Sequence, residues 1–402
     1  MLKITLTIST QLIKTSYYPP PPGTMADQLN TAEAPTPYEV LSRSLPFGNA
    51  DQENWWKDTA AILASLLSVA GYPVHQQYQH LLFYYGHSLP ALGPFHAPRK
   101  DPLVTLTVNG RVFEASMNFQ NDKYLVRYAL DPHGHLAGTE RDPYNGIATS
   151  QMLSGLELAG EEVDNTLYRH FQNDLAITYK DMEILKEKNP GLPISQNMIA
   201  FDLDGAKSVL KVYWFVMLKS TATGIPGGRL IMDAIGKVNN TRESGAFAML
   251  EEYFIDSGLI NTGWFFSWDV VEPTSTRFKL YMLQTTVSLA SITDMWTLGN
   301  RLNSPENKKG LGFLNLLWTC LNIPEAHRPW LDHEISGEGD HRGAMMGQFE
   351  LHPRASEPVP KVYIPLVGDC DLEVALNLAK FFEKIGWTNL ARSFVPDLCS
   401  TL

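Results

Sequence analysis

Four times along its length the chain passes from helical spacing into a pair of short alternating segments and back again. The four pairs lie at 103–130, 198–217, 263–284 and 344–367. Alternation sends successive side chains to opposite faces of a strand. Short connections, at Asn109-Gly110, Asp204-Gly205, Glu272 to Ser275 and Pro353 to Pro358, make the pairings antiparallel. The repeated strands stand roughly 70–85 residues apart, too far for the usual short solenoid repeats.

The second strands share a polar face. In Arg277-Phe278-Lys279-Leu280-Tyr281 the two cations and the tyrosine point one way, and Phe278 and Leu280 the other. Arg127-Tyr128, Lys211-Val212-Tyr213 and Lys361-Val362-Tyr363 repeat the theme. One such strand is an ordinary wet surface. Four of them point to a common inward-facing site. The expected fold is therefore α+β: an antiparallel β-barrel with a solvent-filled polar lumen, ringed by α-helices that cover its apolar outside. A layered α+β fold with open sheets is the alternative. Several cations in one low-dielectric cavity repel one another unless an anion joins them. A diphosphate would satisfy Arg forks, Lys charges and Tyr hydroxyls together.

Helical spacing is read at 52–70, with Asp51 as N-cap and Gly71 as stop, and at 74–85. Further helices are read at 150–158, 165–171, 229–236, 244–256, 285–297, 311–321, 371–385 and 388–394. Residues 1–37 read as a disordered leader with a polyproline spacer at Pro19–Pro22, and Met25 as an alternative start. Residues 38–402 read as one domain. The alternation within 1–18 also allows a strand.

A net charge of −11 argues against a general nucleic-acid binder but leaves room for a local anion site. No run of about 18 apolar residues occurs, so no membrane span is expected. Three cysteines without metal-ligand spacing indicate free thiols and a reducing, cytoplasmic setting.

Glu114 lies on the first hairpin's first strand. Alternation puts it with Ser116 and Asn118, toward the same interior as Arg127. The acidic and histidine cluster from Asp332 to His341 reads as a solvated loop, and His133-Gly134-His135 as a turn. Asp202-Leu203-Asp204-Gly205 lacks the later ligands of a calcium loop. No Asp-Asp-x-x-Asp run, P-loop or dinucleotide glycine fingerprint is present. No metal and no cofactor are expected.

At its repeated strands the sequence resembles the fungal aromatic (indole) prenyltransferases of the dimethylallyltryptophan synthase family. The resemblance rests on Asp51-Gln52-Glu53-Asn54-Trp55-Trp56, Phe113-Glu114-Ala115-Ser116, Lys211-Val212-Tyr213, Arg277 to Tyr281 and Lys361-Val362-Tyr363-Ile364-Pro365. It implies a ten-stranded barrel of five αββα units and metal-independent transfer of a dimethylallyl group from dimethylallyl diphosphate to an electron-rich aromatic acceptor in secondary metabolism. By that resemblance Arg127, Lys211, Tyr213, Arg277, Lys279, Lys361 and Tyr363 cradle the diphosphate. Tyr213, Tyr281 and Tyr363 shield the allyl cation. Glu114 accepts a hydrogen bond from the acceptor's N–H or O–H.

Three departures follow. Ser195 to Met198 lacks the lysine that tryptophan-prenylating members carry there, and 261–268 lacks their carboxylate-binding arginine and offers Trp264, Phe265, Phe266 and Trp268 instead. Both shift the expected acceptor from free tryptophan to a cyclic dipeptide, indole alkaloid or phenolic polycycle such as a xanthone. The family's fifth hairpin is missing after Phe394, which predicts a C-terminally incomplete barrel with activity in doubt. The rival function is a truncated, catalytically silent barrel that binds an anionic or aromatic small molecule. A homodimer is left open.

Overall fold

The last three hairpins are built from the residues whose alternation announced them, the first is described over Phe113–Gln120 and Lys123–Leu130, and together they join one sheet. The computed structural model describes the backbone of residues 4–8, and then residues 34–95, 112–120, 123–188, 191–239, 241–328, 343–364, 366 and 369–401. The strands are β1 (Ile4–Ile8), β2 (Phe113–Gln120), β3 (Lys123–Leu130), β4 (Asn197–Asp204), β5 (Lys207–Phe215), β6 (Gly263–Asp269), β7 (Phe278–Gln284), β8 (Thr286–Val287), β9 (Ala326–His327), β10 (Met345–Leu351) and β11 (Val359–Tyr363). Nine form a single antiparallel sheet in the order β1-β2-β3-β4-β5-β6-β7-β10-β11, and β8 and β9 pair separately.

The sheet is curled. Arg127 on β3 and Tyr363 on β11 perturb each other electrostatically. Six inter-strand steps separate them, which in a flat sheet would span about 29 Å, beyond the reach of such coupling in salt. The wall must bend until β3 and β11 face one another. On the outer side, the helices Asp371–Lys384 and Thr388–Thr401 carry the chain from β11 back to β2. There Phe382 and Phe394 pack on Phe119 at ring-centroid distances of 6.0 and 5.6 Å.

The convex face carries the main core. Tyr128, Phe201, Trp214, Phe266, Trp268 and Phe349 are buried under the helices. Phe171, from the helix Thr166–Leu175, lies 4.8 Å from Phe266 and 4.7 Å from Trp268 between ring centroids. Burying such side chains contributes about 1.5–3 kcal/mol each.

Several local expectations change. The helix read from residue 52 begins at Ala50, and its cap is Asn49, whose side chain accepts from Gln52 N. Asp51 instead accepts from Phe95 N at 3.0 Å. Tyr179–Lys188 is a helix that the spacing did not announce. Ile4–Ile8, assigned to the leader, is the outermost strand, with Ile4 opposite Phe119 and Ile8 opposite Ala115. The Asn109-Gly110 turn and the 332–341 cluster lie outside the described residues. The first hairpin that is described pairs Phe113–Gln120 with Lys123–Leu130. Among the described residues no helix is long and apolar enough to cross a membrane, and no three His, Cys, Asp or Glu side chains gather as a metal site.

Candidate active site

The charged residues and tyrosines singled out on the hairpins occupy the concave face, whereas Phe266 and Trp268, expected beside Trp264 and Phe265 at the acceptor, face the convex core instead because alternation turns them outward. Glu114 is on β2, Arg127 on β3, Lys211 and Tyr213 on β5, Lys279 and Tyr281 on β7, and Lys361 and Tyr363 on β11. Arg277 immediately precedes β7. Glu114 is half-buried, opposite Ala129 in the register, two pairs along from Ser116 and Arg127 and so on the same face. Its charge reaches Tyr363.

The five cations do not stand alone. Asp202 on β4 accepts from the Arg127 guanidinium through both oxygens and from Lys211 Nζ. Asp269 on β6 accepts from Arg277 Nε at 2.6 Å and Lys279 Nζ at 3.0 Å. Glu350 on β10 accepts from Arg277 Nη1 at 3.0 Å and Lys361 Nζ at 2.9 Å, with His352 Nε2 also 2.9 Å away. The result is a belt of alternating charge across seven strands. Within these eight side chains, five cations face three carboxylates, a formal excess of two positive charges.

The electrostatics follow from burial and pairing. Burial alone would raise Asp202, but Arg127 and Lys211 outweigh it and hold the carboxyl well below its usual range. Glu350 behaves likewise: burial is overcome by Lys361, Lys279 and Arg277, and its pKa falls to about 2. Lys211 and Lys279 are pulled down, first by burial and then by their cationic neighbours, despite their acid partners. An arriving anion relieves this.

Next to the belt the same face turns aromatic. Tyr213, Tyr281 and Tyr363 follow one another across the wall, with Tyr281 6.0 Å from Tyr213 and 6.1 Å from Tyr363 between ring centroids. Burial pushes all three phenols up, so they stay neutral donors. Tyr363 donates to Gln348 Oε1 at 3.0 Å. Beyond them Met198, Phe215, Trp264 and Phe265 make a second apolar cluster, separate from the main core. Phe265 stacks on Tyr281 with centroids 4.2 Å apart. The interior is thus charged over one part and aromatic over the other.

A β-bulge completes the aromatic part. Gly263 pairs with Met282 and Phe265 with Tyr281, so β6 spends one extra residue there. A bulge re-aims a side chain. Trp264, which alternation would send outward with Phe266, joins Phe265 in the inner cluster, 4.7 Å away between ring centroids. The bulge exists because glycines meet at it. A Cβ on Gly263 would lie 2.2 Å from Gly228 N, and one on Gly227 would lie 2.1 Å from Gly263 O. Both neighbours are backbone and cannot yield cheaply. Gly263→Ala should therefore cost about 3 kcal/mol, the upper part of the overpacking range, seen as a lower denaturant midpoint at unchanged slope. It should also disturb the fluorescence of Trp264.

Sequence reasoning missed Asp202, Asp269 and Glu350. A usable signal was present: each lies on the first strand of its hairpin, in phase with the inner face. The stretch Ser195 to Asn197, where a lysine was sought, is buried. There Gln196 donates to Tyr144 O and accepts from Ile177 N, so it serves the backbone.

Comparison with known proteins places most of the chain. Residues 51–397 match the family model for tryptophan dimethylallyltransferase. Reverse prenyltransferase criA of Aspergillus cristatus is 34% identical over 366 residues, covering 89% of this chain and 84% of its own. Deoxybrevianamide E synthase notF of Aspergillus sp. (strain MF297-2) is 32% identical over 391 residues, 94% of this chain and 86% of its own. The crystal structure of NotF in complex with brevianamide F and DMSPP superposes with a TM-score of 0.80 at 31% identity, over 91% of this chain and 90% of that one. With most of its length and its fold accounted for in this way, the chain belongs to the tryptophan dimethylallyltransferase family.

Proposed function

We propose that the protein transfers a dimethylallyl group from dimethylallyl diphosphate to an uncharged, electron-rich aromatic acceptor. The observation that carries the reading is the adjacency, on one concave face, of a net-cationic belt and an aromatic cluster. The diphosphate binds Arg127, Lys211, Arg277, Lys279 and Lys361. The allylic C–O bond breaks and its electron pair leaves with the diphosphate, whose charge meets preorganised donors. The allyl cation forms against the π faces of Tyr213, Tyr281 and Tyr363. A ring carbon of the acceptor supplies the pair for the new C–C bond. The ring then gives its proton to the released diphosphate, which restores aromaticity. Glu114 accepts a hydrogen bond from the acceptor and orients it. The belt's own excess positive charge supports a reaction without a metal.

The acceptor is proposed from what the aromatic part lacks. Trp264 and Phe265 offer no cation for a free carboxylate, which favours a cyclic dipeptide, an indole alkaloid or a phenolic polycycle. Trp264→Arg should move preference toward free tryptophan, raising its kcat/KM relative to a cyclic dipeptide by about tenfold, the worth of one charge-assisted bond. A competition assay read by mass spectrometry checks this. No observation favours the silent-barrel alternative. Cys320, Cys370 and Cys399 carry no disulfide, in keeping with a cytoplasmic setting.

The direct test is incubation with dimethylallyl diphosphate and an aromatic panel in the presence of EDTA. Prenylated product on any acceptor supports the reading. Retained diphosphate binding without product on any acceptor overturns it.

A further inference from the structure

The three carboxylates of the belt are placed by a rule. Arg127 lies directly opposite Asp202 across β3 and β4, Lys211 opposite Asp269 across β5 and β6, and Lys279 opposite Glu350 across β7 and β10. Each junction joins the second strand of one hairpin to the first strand of the next. Each sets one cation against one acid in the register. All three acids are buried or nearly so, with side chains 14%, 8% and 4% exposed. A site meant only to grip an anion gains nothing from three buried carboxylates. Every oxygen they offer to Arg277, Lys211 or Lys361 competes with a phosphate oxygen for the same N–H. Their charge also repels the ligand at short range.

The competition has a use. The group stabilised in the transition state and the group released afterwards are the same diphosphate. Five uncompensated cations would hold the product as firmly as they assist its departure from carbon. Carboxylates fixed within hydrogen-bond distance of each cation take back those donors as the diphosphate leaves. They also keep the cations aimed at one another's neighbourhood in the empty site.

We propose that Asp202, Asp269 and Glu350 are built-in counter-charges that weaken the hold on inorganic diphosphate and so speed product release. They are positioning residues that act through the cations. This rests on the functional reading above and adds to it a cost that the cations alone would impose.

The experiment uses Asp202→Asn and Glu350→Gln, at opposite ends of the belt, in the full chain. Asp181→Asn, which disturbs the Asp181–Lys219 pair outside the belt, is the control. Inhibition by inorganic diphosphate is measured, together with steady-state and single-turnover rates of transfer. Removing one negative charge this close to the ligand should tighten diphosphate inhibition on the order of tenfold. The steady-state kcat should fall while the single-turnover rate holds within about threefold, since release and chemistry are separated in that comparison. Asp181→Asn should leave the inhibition constant unchanged. A merely structural role predicts the opposite sign, because loosened cations bind diphosphate more weakly. Unchanged or weaker inhibition in both belt variants overturns the proposal. Wild-type protein that transfers a dimethylallyl group and yet is insensitive to diphosphate overturns it too. Wild-type protein that neither binds diphosphate nor transfers overturns the functional reading, and the proposal falls with it.

Discussion

Arg277→Met should lower kcat/KM for prenyl transfer by about 10²–10³-fold, the scale of losing one preorganised donor to a developing oxyanion. Arg277 is the only side chain of the belt that bridges two carboxylates, binding Asp269 through Nε and Glu350 through Nη1. Its loss halves the formal excess of positive charge on the belt. It also leaves Asp269 to Lys279, and Glu350 to Lys361 and His352. Breaking a buried pair costs about 3–5 kcal/mol, but Arg277 is a third exposed, so solvent screening reduces that toward the surface value. Activity should accordingly fall far more than stability. Arg277→Lys separates charge from geometry: it keeps the charge, loses the fork, and should recover only part of the rate. Steady-state kinetics beside a denaturant titration of each variant decides the point. An Arg277→Met enzyme within threefold of wild type would remove Arg277 from the diphosphate site.

The same side chain marks how far the sequence could be read. Strand alternation around Arg277 to Tyr281 depends only on the period-2 geometry of a β-strand, and it placed Lys279 and Tyr281 on the inner face correctly. The hairpins were legible for the same reason. The carboxylate partners were not found, because an acid on a strand has many local explanations. Asp202 lies at the end of a strand beside the Asp204-Gly205 turn and reads only as the start of an incomplete calcium loop. Its pairing with Arg127 comes from the register between β3 and β4, across a separation of 75 residues. Trp264 illustrates a different limit. It is expected at the acceptor side with Phe265, Phe266 and Trp268; strict alternation splits that run, sending Phe266 and Trp268 outward, and a bulge is what keeps Trp264 inside with Phe265. The bulge follows from the approach of Gly227 and Gly228 to Gly263, a tertiary contact with no local signature beyond the glycines. The leader shows a third limit: whether an alternating segment pairs depends on an open neighbouring edge, here that of β2, which the segment itself does not announce.

Glu114→Gln should cut the rate of transfer by about 10²-fold, the scale on which losing the group that orients a reactant slows its reaction. The substitution keeps size and one acceptor oxygen and removes the charge. Glu114 sits on β2, on the far side of β3 from Asp202 and opposite Ala129, while the carboxylate partners of the five cations are Asp202, Asp269 and Glu350 on β4, β6 and β10. Diphosphate binding should therefore survive the change while chemistry does not. That dissociation separates acceptor activation from donor binding: the KM for dimethylallyl diphosphate stays within a few-fold of wild type as kcat falls. The size of the effect should also depend on the acceptor. An indole N–H needs the charged acceptor to enrich the ring at the moment of attack, so its loss is large. A phenol already ionised at high pH carries that electron density itself, and its rate should recover as pH rises. A Glu114→Gln enzyme that slows indole and phenolate acceptors equally would assign Glu114 to shaping the pocket; undiminished rates on both would take it out of the reaction altogether.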